Sequence, residues 1–514
     1  MLAAVQPAEI AVLEGEMARR RPGVQAVQAD SVPTRGPWTP AADCVVLVSV
    51  NGRGPGAVPG AAPPADSAVP PRRIVRVTLG GAAPPEGVWA FAPESDAIAQ
   101  RLMAGVLLGD GAPPAGPTPS PTLLPAAPES AGMRVDSLRA IDAAMRSALE
   151  AGVFTGGVVV VARRGLVVKA TGYGRTAGQP VDPASTLFDL ASLTKIVGTT
   201  AATMALVDDS VLSVSDPLRR HLSGYRGGGR GDITLRHLLT HTSGLPAGAD
   251  LFGAHSAQAA FGRVRRAELV TEPGEAYRYS DFGMILLAQA IESAAEEPIE
   301  QLLARRVYGR LGMRQTRYRP SLLLQERVVP TALRSERPYV LDAVVHDGNA
   351  FRLGGIAGHA GLFSTGMDVA VFAQTILNGG GYGNARVWSQ ATVQAFTTPQ
   401  RLPGGRGLGW DVVADRSSAG DYFTARTVGH TGYTGTSLWI DLGREMFVVM
   451  LTNRTYDRGT AAQIFALRKR VHELAARSIS DQRVLPRPGT AAARAAERSR
   501  RPAPRRTPRR PRRG

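Results

Sequence analysis

FDLASLTKIV, residues 188–197, is the stretch on which the fold turns. It sets Ser192, Leu193, Thr194 and Lys195 inside an apolar run that predicts a buried helix. Positions i and i+3 share one face of a helix, so a hydroxyl comes to lie beside an amine. Serine is a weak nucleophile until a neighbouring base takes its proton. An amine can serve if burial and a helix N-terminus lower its pKa. The inventory of bases sharpens the point. Of the 60 basic residues, only Lys169, Lys195 and Lys469 are lysines. Arginine keeps its proton in a protein, whereas lysine can lose it. A rare lysine three residues after a serine therefore marks a need for a deprotonable amine. An S-x-x-K also arises by chance in a chain of 514 residues, so the motif needs company.

Two segments supply it. PGEAYRYSDFGMILLAQAIE, residues 273–292, sets Tyr279, Ser280 and Asp281 at a predicted helix start. A phenol relays protons when a cation steadies its phenolate, although a lone tyrosine there is more often simple packing. VGHTGYTGT, residues 428–436, sets His430, Thr431 and Gly432 before a strand. Gly432 would let a substrate backbone lie close, and a strand N–H together with that of Ser192 would form an oxyanion hole.

Working outward, VVVVARRGLVVKATGYG (158–174) predicts a hairpin turning at Arg164-Gly165. ARTVGHTG (425–432) and TSLWIDLGREMFVVMLTN (436–453) predict strands near the other end, the second stretch a hairpin turning at Gly443. Helices are expected over 136–151 and 461–476. Strands at both ends of a helical middle predict an α+β fold, with one antiparallel sheet assembled from both termini, flanking helices and a helical subdomain. This domain is expected over 131–480. Residues 1–112 read as a small α/β domain, with helices over 8–20 and 95–108 and strands at CVVLVSV (44–50), RIVRVTL (73–79) and VWAFAP (88–93). The Pro-rich stretch 113–130 reads as a linker, and 481–514 as a disordered Arg/Pro-rich tail.

Composition bounds the rest. The chain is 44% hydrophobic and 20% charged, as expected for a protein with a real core. Its one cysteine, Cys44, excludes an intramolecular disulfide and a cysteine metal site. No apolar run is long enough for a membrane helix. The first residues are acidic where a signal peptide would be apolar, which predicts a cytoplasmic protein, or a periplasmic or extracellular one if the true start lies upstream. The net charge is +17, and residues 483–514 carry 12 Arg against one Glu. Such a tail is either a solvated extension or a weak contact for nucleic acid or an anionic surface. His237 and His241 have the i, i+4 spacing of a metal pair, but no Glu follows His237 as in H-E-x-x-H. No metal or other cofactor is expected. His346, Asp347 and His359 either line the cleft or order Gly-rich loops.

The order S-x-x-K, Y-S-D, H-T-G resembles the serine β-lactamases and penicillin-binding proteins. ITLRHLLTHTSGLP (233–246) and GGIAGHAGLFSTGMDVAVFAQTILNGG (354–380) resemble the class C, esterase and DD-peptidase branch. The resemblance implies that Ser192 becomes acylated and that Lys195 and Tyr279 share the acid and base work. It implies that Asp281 stands where asparagine is usual, that His430 and Thr431 replace the K-T pair holding a substrate carboxylate, and that the N–H groups of Ser192 and Tyr433 form the oxyanion hole. Asp281 adds negative charge that should raise the pKa of Lys195. A neutral His430 would grip a carboxylate less firmly than lysine. The expected activity is hydrolysis of an ester or a D-amino-acid peptide, a small-molecule or peptide substrate derived from peptidoglycan. The alternatives are a true β-lactamase and an inactive member that binds peptidoglycan or a partner. Residues 40–120 resemble part of the C-terminal α/β domain of family 3 glycoside hydrolases. The barrel of that family is absent, so no glycosidase activity is expected.

Overall fold

Arg164 and Gly165 both take left-handed backbone, with φ of 53° and 79°, between the strands Gly156–Arg163 and Leu166–Thr176. Positive φ at both central residues is what a tight hairpin with the native strand twist demands. The computed structural model describes residues 119–332, 343–414, 417–456 and 459–500, with four short strands nearer the start. The hairpin enters an eight-stranded sheet. Its order is Asp411–Val412, Thr427–Thr431, Ser437–Asp441, Met446–Thr452, Gly156–Arg163, Leu166–Thr176 and Leu124–Pro125, with Gln179–Pro180 pairing beside Leu166–Thr176. Every pair is antiparallel except the edge strand Leu124–Pro125.

The first long strand and the last lie side by side, with Val159 opposite Met450 and Val161 opposite Val448. Strand residues alternate between faces. Val158, Val160 and Ala162 join one core with Leu193, Ile196, Ile285 and other residues of the helical insertion. Val159 and Val161 join the other, against Ile141 and Met145 of the helix Val135–Glu150 and Val471 of the helix Ala461–Arg477. Burial on both faces is why this strand reads as an unbroken apolar run. Buried Asn453 ties the two ends of the domain together. Its Oδ1 accepts from the N–H groups of Thr155 and Gly156 at 3.0 and 2.9 Å. Its Nδ2 donates to Thr155 Oγ1 and the Pro330 carbonyl, both at 2.8 Å.

Two expected boundaries differ from those observed. Residues 119–130, read as linker, are part of the second compact unit, which begins at Pro119. The N–H groups of Leu124 and Ala126 donate to the carbonyls of Gly165 and Val167, and Pro125, which has no N–H, falls at the position between them. An extended chain bonds a sheet edge at alternate residues, so proline at the others costs nothing. Residues 481–500, read as disordered tail, also pack on the domain. Asp481 pairs with Arg163 and Arg164 at 2.9 and 2.8 Å, and Arg487 donates to the carbonyls of Gly420, Phe423 and Ala414. The helix Ala491–Arg500 follows. Arginine here is used as a clamp for backbone carbonyls, which composition does not reveal. Residues 501–514 lie outside the described residues.

The first unit spans Met1–Thr118. Its strands Gln25–Val27, Val45–Ser49, Ile74–Leu79 and Trp89–Ala92 pair in chain order, the last pair parallel. The helices expected over 8–20 and 95–108 lie outside the described residues, as does most of the stretch resembling a glycoside hydrolase domain.

Replacing Asn453 by Ala leaves the N–H groups of Thr155 and Gly156 without their acceptor. We expect a loss of roughly 3 kcal/mol in urea unfolding of the full chain; a loss below about 1 kcal/mol would show that this tie does not hold the two ends together.

Candidate active site

A second, three-stranded sheet of Arg317–Tyr318, Leu362–Ser364 and Phe188–Asp189 delivers the chain to the serine. There Ala191–Leu193 form a single 3-10 turn, followed by a helix whose first six residues, Lys195–Thr200, are wound as π. In a 3-10 turn residues i and i+3 eclipse. Lys195 Nζ accordingly donates to Ser192 Oγ at 2.9 Å. Ala191 is held at φ 47°, a strained conformation for a residue with a Cβ. Asp189 offsets that strain by accepting the Ala191 N–H at 2.8 Å, and its other carboxylate oxygen accepts the His346 N–H at 2.7 Å.

Lys195 is completely buried, and Ser192 is half-buried at the surface of the cleft. The lysine also donates to the His359 carbonyl at 3.1 Å and lies 2.7 Å from Asp281 Oδ1. That last contact is an ion pair rather than a directed hydrogen bond, because Oδ1 takes no well-aligned donor. Burial works against the ammonium, but the Tyr279 side chain and the Asp281 carboxylate outweigh it and hold the Lys195 pKa above its ordinary value. This is the direction expected from the charge of Asp281.

Tyr279 sits above the amine, with Nζ 4.9 Å from its ring centre. Ser280 fixes it there by capping the helix Asp281–Ala295: Oγ accepts from the Gly283 N–H at 3.1 Å and donates to the Pro246 carbonyl at 2.6 Å. Asp281 thereby occupies the first turn, where the helix dipole favours a carboxylate. His241 joins the THTSGLP segment to this corner. Its Nδ1 accepts the Ser280 N–H at 3.1 Å, its carbonyl accepts the Arg278 N–H, and its ring lies 4.5 Å from that of Tyr279. The other member of the i, i+4 pair, His237, spends its Nδ1 on the Thr234 N–H in a capping box.

The strand Thr427–Thr431 brings His430 to the other side of Tyr279, ring centres 5.9 Å apart. His430 Nδ1 lies 2.7 Å from the Thr431 carbonyl oxygen. Burial, then the charges of Arg406 and Lys195, push the His430 pKa well below the usual histidine range, so the ring is neutral. The same causes act on His241. Gly432 is packed against the protein itself. A Cβ there would stand 2.5 Å from the Leu190 carbonyl oxygen and 3.2 Å from Ala191 Cβ. The sequence suggested a substrate backbone in this space; the turn carrying Ser192 fills it. Thr434 and Thr436 close the contact, their hydroxyls donating to the carbonyls of Asp189 and Leu190 at 2.8 and 2.9 Å. The Tyr433 side chain is exposed, stacked on His346, with the Arg454 guanidinium carbon 4.3 Å from its ring centre. Its N–H has no hydrogen-bond partner among the described residues. Thr431 is half-buried at the strand end.

Ser192, Lys195, Tyr279, Asp281, His430 and the turn after Gly432 are thus drawn into one corner. Two further residues, Arg406 and Asp189, belong to it without having stood out in the sequence, and Asp347 takes the loop-ordering one of the two roles expected of it. Arg406 is buried, reaches Asp411 at 3.1 Å and Tyr277 at 3.4 Å, and leaves two guanidinium nitrogens without a partner. In so arginine-rich a chain nothing marked it. Asp189 precedes the serine as an apparently ordinary turn residue. Asp347 accepts from His359 Nε2 at 2.9 Å, fixing the loop whose carbonyl grips Lys195; burial opposes its ionisation, yet His359 holds it below the usual carboxylate range.

Comparison with known proteins agrees with this geometry. The β-lactamase family model matches residues 141–472. A protein of Escherichia coli O157:H7, provisionally named a D-alanyl-D-alanine carboxypeptidase, is 31% identical over 377 residues, covering 66% of this chain and 87% of its own. Among solved structures, EstCE1, described as a hydrolase with promiscuous acyltransferase activity, superposes with a TM-score of 0.54 at 23% identity, covering 66% of this chain and 99% of its own. A class C β-lactamase from Rhodobacter sphaeroides gives 0.52 at 20% identity, covering 65% and 99%. At those identities the two structures speak for the fold alone. The family model spans well over half of the sequence and includes the whole corner just described, and from this the chain belongs to the β-lactamase family and is a serine hydrolase.

Proposed function

We propose that Ser192 is the nucleophile of an acyl-enzyme reaction on a D-amino-acid peptide with a free carboxyl end. The observation that carries this is the 2.9 Å contact from Lys195 Nζ to Ser192 Oγ, made by an amine buried beside Asp281 and Tyr279. Ser192 Oγ attacks the acyl carbon, and its proton passes to the Lys195–Tyr279 pair. Because Asp281 favours the charged lysine, Tyr279 takes the proton, which requires its oxygen to enter the step as the phenolate beside the ammonium. The carbonyl electrons move onto oxygen, facing the N–H groups of Ser192 and Tyr433. On collapse the carbon–nitrogen bond breaks and the leaving amine collects the proton. Water then repeats the sequence on the ester and releases the acid.

The substrate class rests on the relative's name and on charge. His430 and Thr431 flank the position of a substrate carboxylate, and the buried Arg406 places its positive charge behind His430. A second reading, ester hydrolysis, is favoured by the neutrality of His430, which leaves no mobile cation at the strand. For the arginine-rich stretch 483–514 the two readings are a solvated extension and a weak contact with nucleic acid or an anionic surface through charge, the latter resting on the residues after 500.

Three outcomes follow. Intact-mass measurement with an alkyl fluorophosphonate should give one adduct on the wild type and none on Ser192→Ala, and the wild type alone should release D-alanine from a D-alanyl-D-alanine peptide. An adduct without D-alanine release, but with ester turnover, would favour the esterase reading; no adduct on folded wild type would sink both. Asp281→Asn removes the charge that raises the Lys195 pKa, so the pH profile of kcat/KM should move to lower pH. An unmoved profile, or one moved upward, would show that Asp281 does not set the ionisation of the pair. Truncation after Arg500 should weaken salt-sensitive retention on DNA–cellulose; equal retention would remove the tail from consideration.

A further inference from the structure

We infer that Arg468, on the C-terminal helix, is a positioning residue that polarises the peptide unit carrying the Tyr433 N–H and so strengthens it as an oxyanion donor. This rests on the acyl-serine reading above. Arg468 Nη2 donates to the Gly432 carbonyl at 2.5 Å and to the Thr436 carbonyl at 2.7 Å. The Gly432 carbonyl and the Tyr433 N–H are the two ends of one planar peptide group, and in a trans peptide they point in opposite directions. A charged donor on the oxygen draws electron density from the nitrogen and makes its N–H a better donor, because hydrogen bonds in a chain reinforce one another. The Gly432 carbonyl also accepts the Gly435 N–H at 3.1 Å, so that oxygen is pulled from two sides while the N–H opposite has no partner among the described residues.

The charge at Arg468 is also unusual. The side chain is buried, and among the described residues it forms no ion pair and its Nε has no hydrogen-bond partner. Burial and the neighbouring Arg454 push its pKa down to about 9, which leaves it charged at neutral pH. Arg454 is likewise buried with no ion pair among the described residues, and its guanidinium carbon lies 4.3 Å from the Tyr433 ring centre. Buried cations normally require a carboxylate, and a fold that only needed to pin this turn would do so with a neutral donor. Two guanidinium groups beside residues 432–436, without an ion pair among the described residues, put positive potential on the side of the Ser192 turn where negative charge would develop. The turn transmits it rigidly, since Thr434 and Thr436 bolt it to Asp189 and Leu190.

The test uses the full chain and an alkyl fluorophosphonate, with which a Ser192 Oγ–P bond forms as fluoride leaves with the serine proton. Its P=O oxygen then occupies the oxyanion position. Arg468→Gln keeps a hydrogen-bond donor and removes the charge; Arg468→Met removes both. We expect the phosphonylation rate to fall on the order of tenfold in Arg468→Gln and further in Arg468→Met, less than the loss of a whole oxyanion donor. The 31P chemical shift of the adduct should move in the same order, a change that a merely structural role would not produce. Variants that react within about twofold of wild type with an unchanged 31P shift would overturn the inference. If Arg468→Met does not fold, Arg468→Gln decides alone by the same two readouts. Absence of an adduct on the wild type would overturn the Ser192 assignment and this inference together, whereas a reactive wild type with indifferent variants overturns only this one.

Discussion

A fully buried ammonium group is the constraint around which the domain is arranged. Lys195 cannot be taken out of water unless other groups replace its hydration, and the three that do so come from three separate segments. Ser192 Oγ comes from its own turn, Asp281 from the Y-S-D helix start, and the His359 carbonyl from the Gly-rich loop over 354–361. Each segment then needs its own support. Ser280 and His241 fix the Y-S-D corner, and Asp347 with His359 fixes the loop. Much of what looks like a scattered set of motifs is therefore one solution to the cost of holding a charged amine against a serine in a dry place.

The sheet serves the same end from the other side. Pairing of Gly156–Arg163 with Met446–Thr452 closes the domain, and the strand Thr427–Thr431 is carried two positions further along. That register sets Gly432 directly on the chain preceding Ser192, where no Cβ would fit. The contact between the strand and the turn carrying Ser192 is protein packing, held by two threonine hydroxyls.

Departures from local preference gather here. Ala191 and His241 both adopt positive φ, the first six helical residues from Lys195 are wound as π, and Arg406 and Arg468 keep guanidinium nitrogens without partners. Strain and unsatisfied groups of this kind persist only where the surrounding structure over-determines them, and functional sites are where that happens.

Local chemistry was enough to read several features from the chain itself. The Arg164-Gly165 hairpin and the sheet built from both ends follow from turn residues, apolar strand runs and their order along the chain. Ser192 and Lys195 were legible because three residues is one turn, so their meeting is decided locally, and because lysine is so rare here that its presence carries information. Other features depended on the tertiary fold, since they join residues far apart in the chain by contacts that leave no periodic trace. Arg406 reaches Asp411 and bears on His430 through its charge, and Arg468 grips the Gly432 carbonyl across 36 positions. The same holds for residues 119–130 and 481–500, whose proline and arginine content resembles linker and tail by composition. Their backbone groups nevertheless find partners on the finished domain, and only the folded surface could offer them.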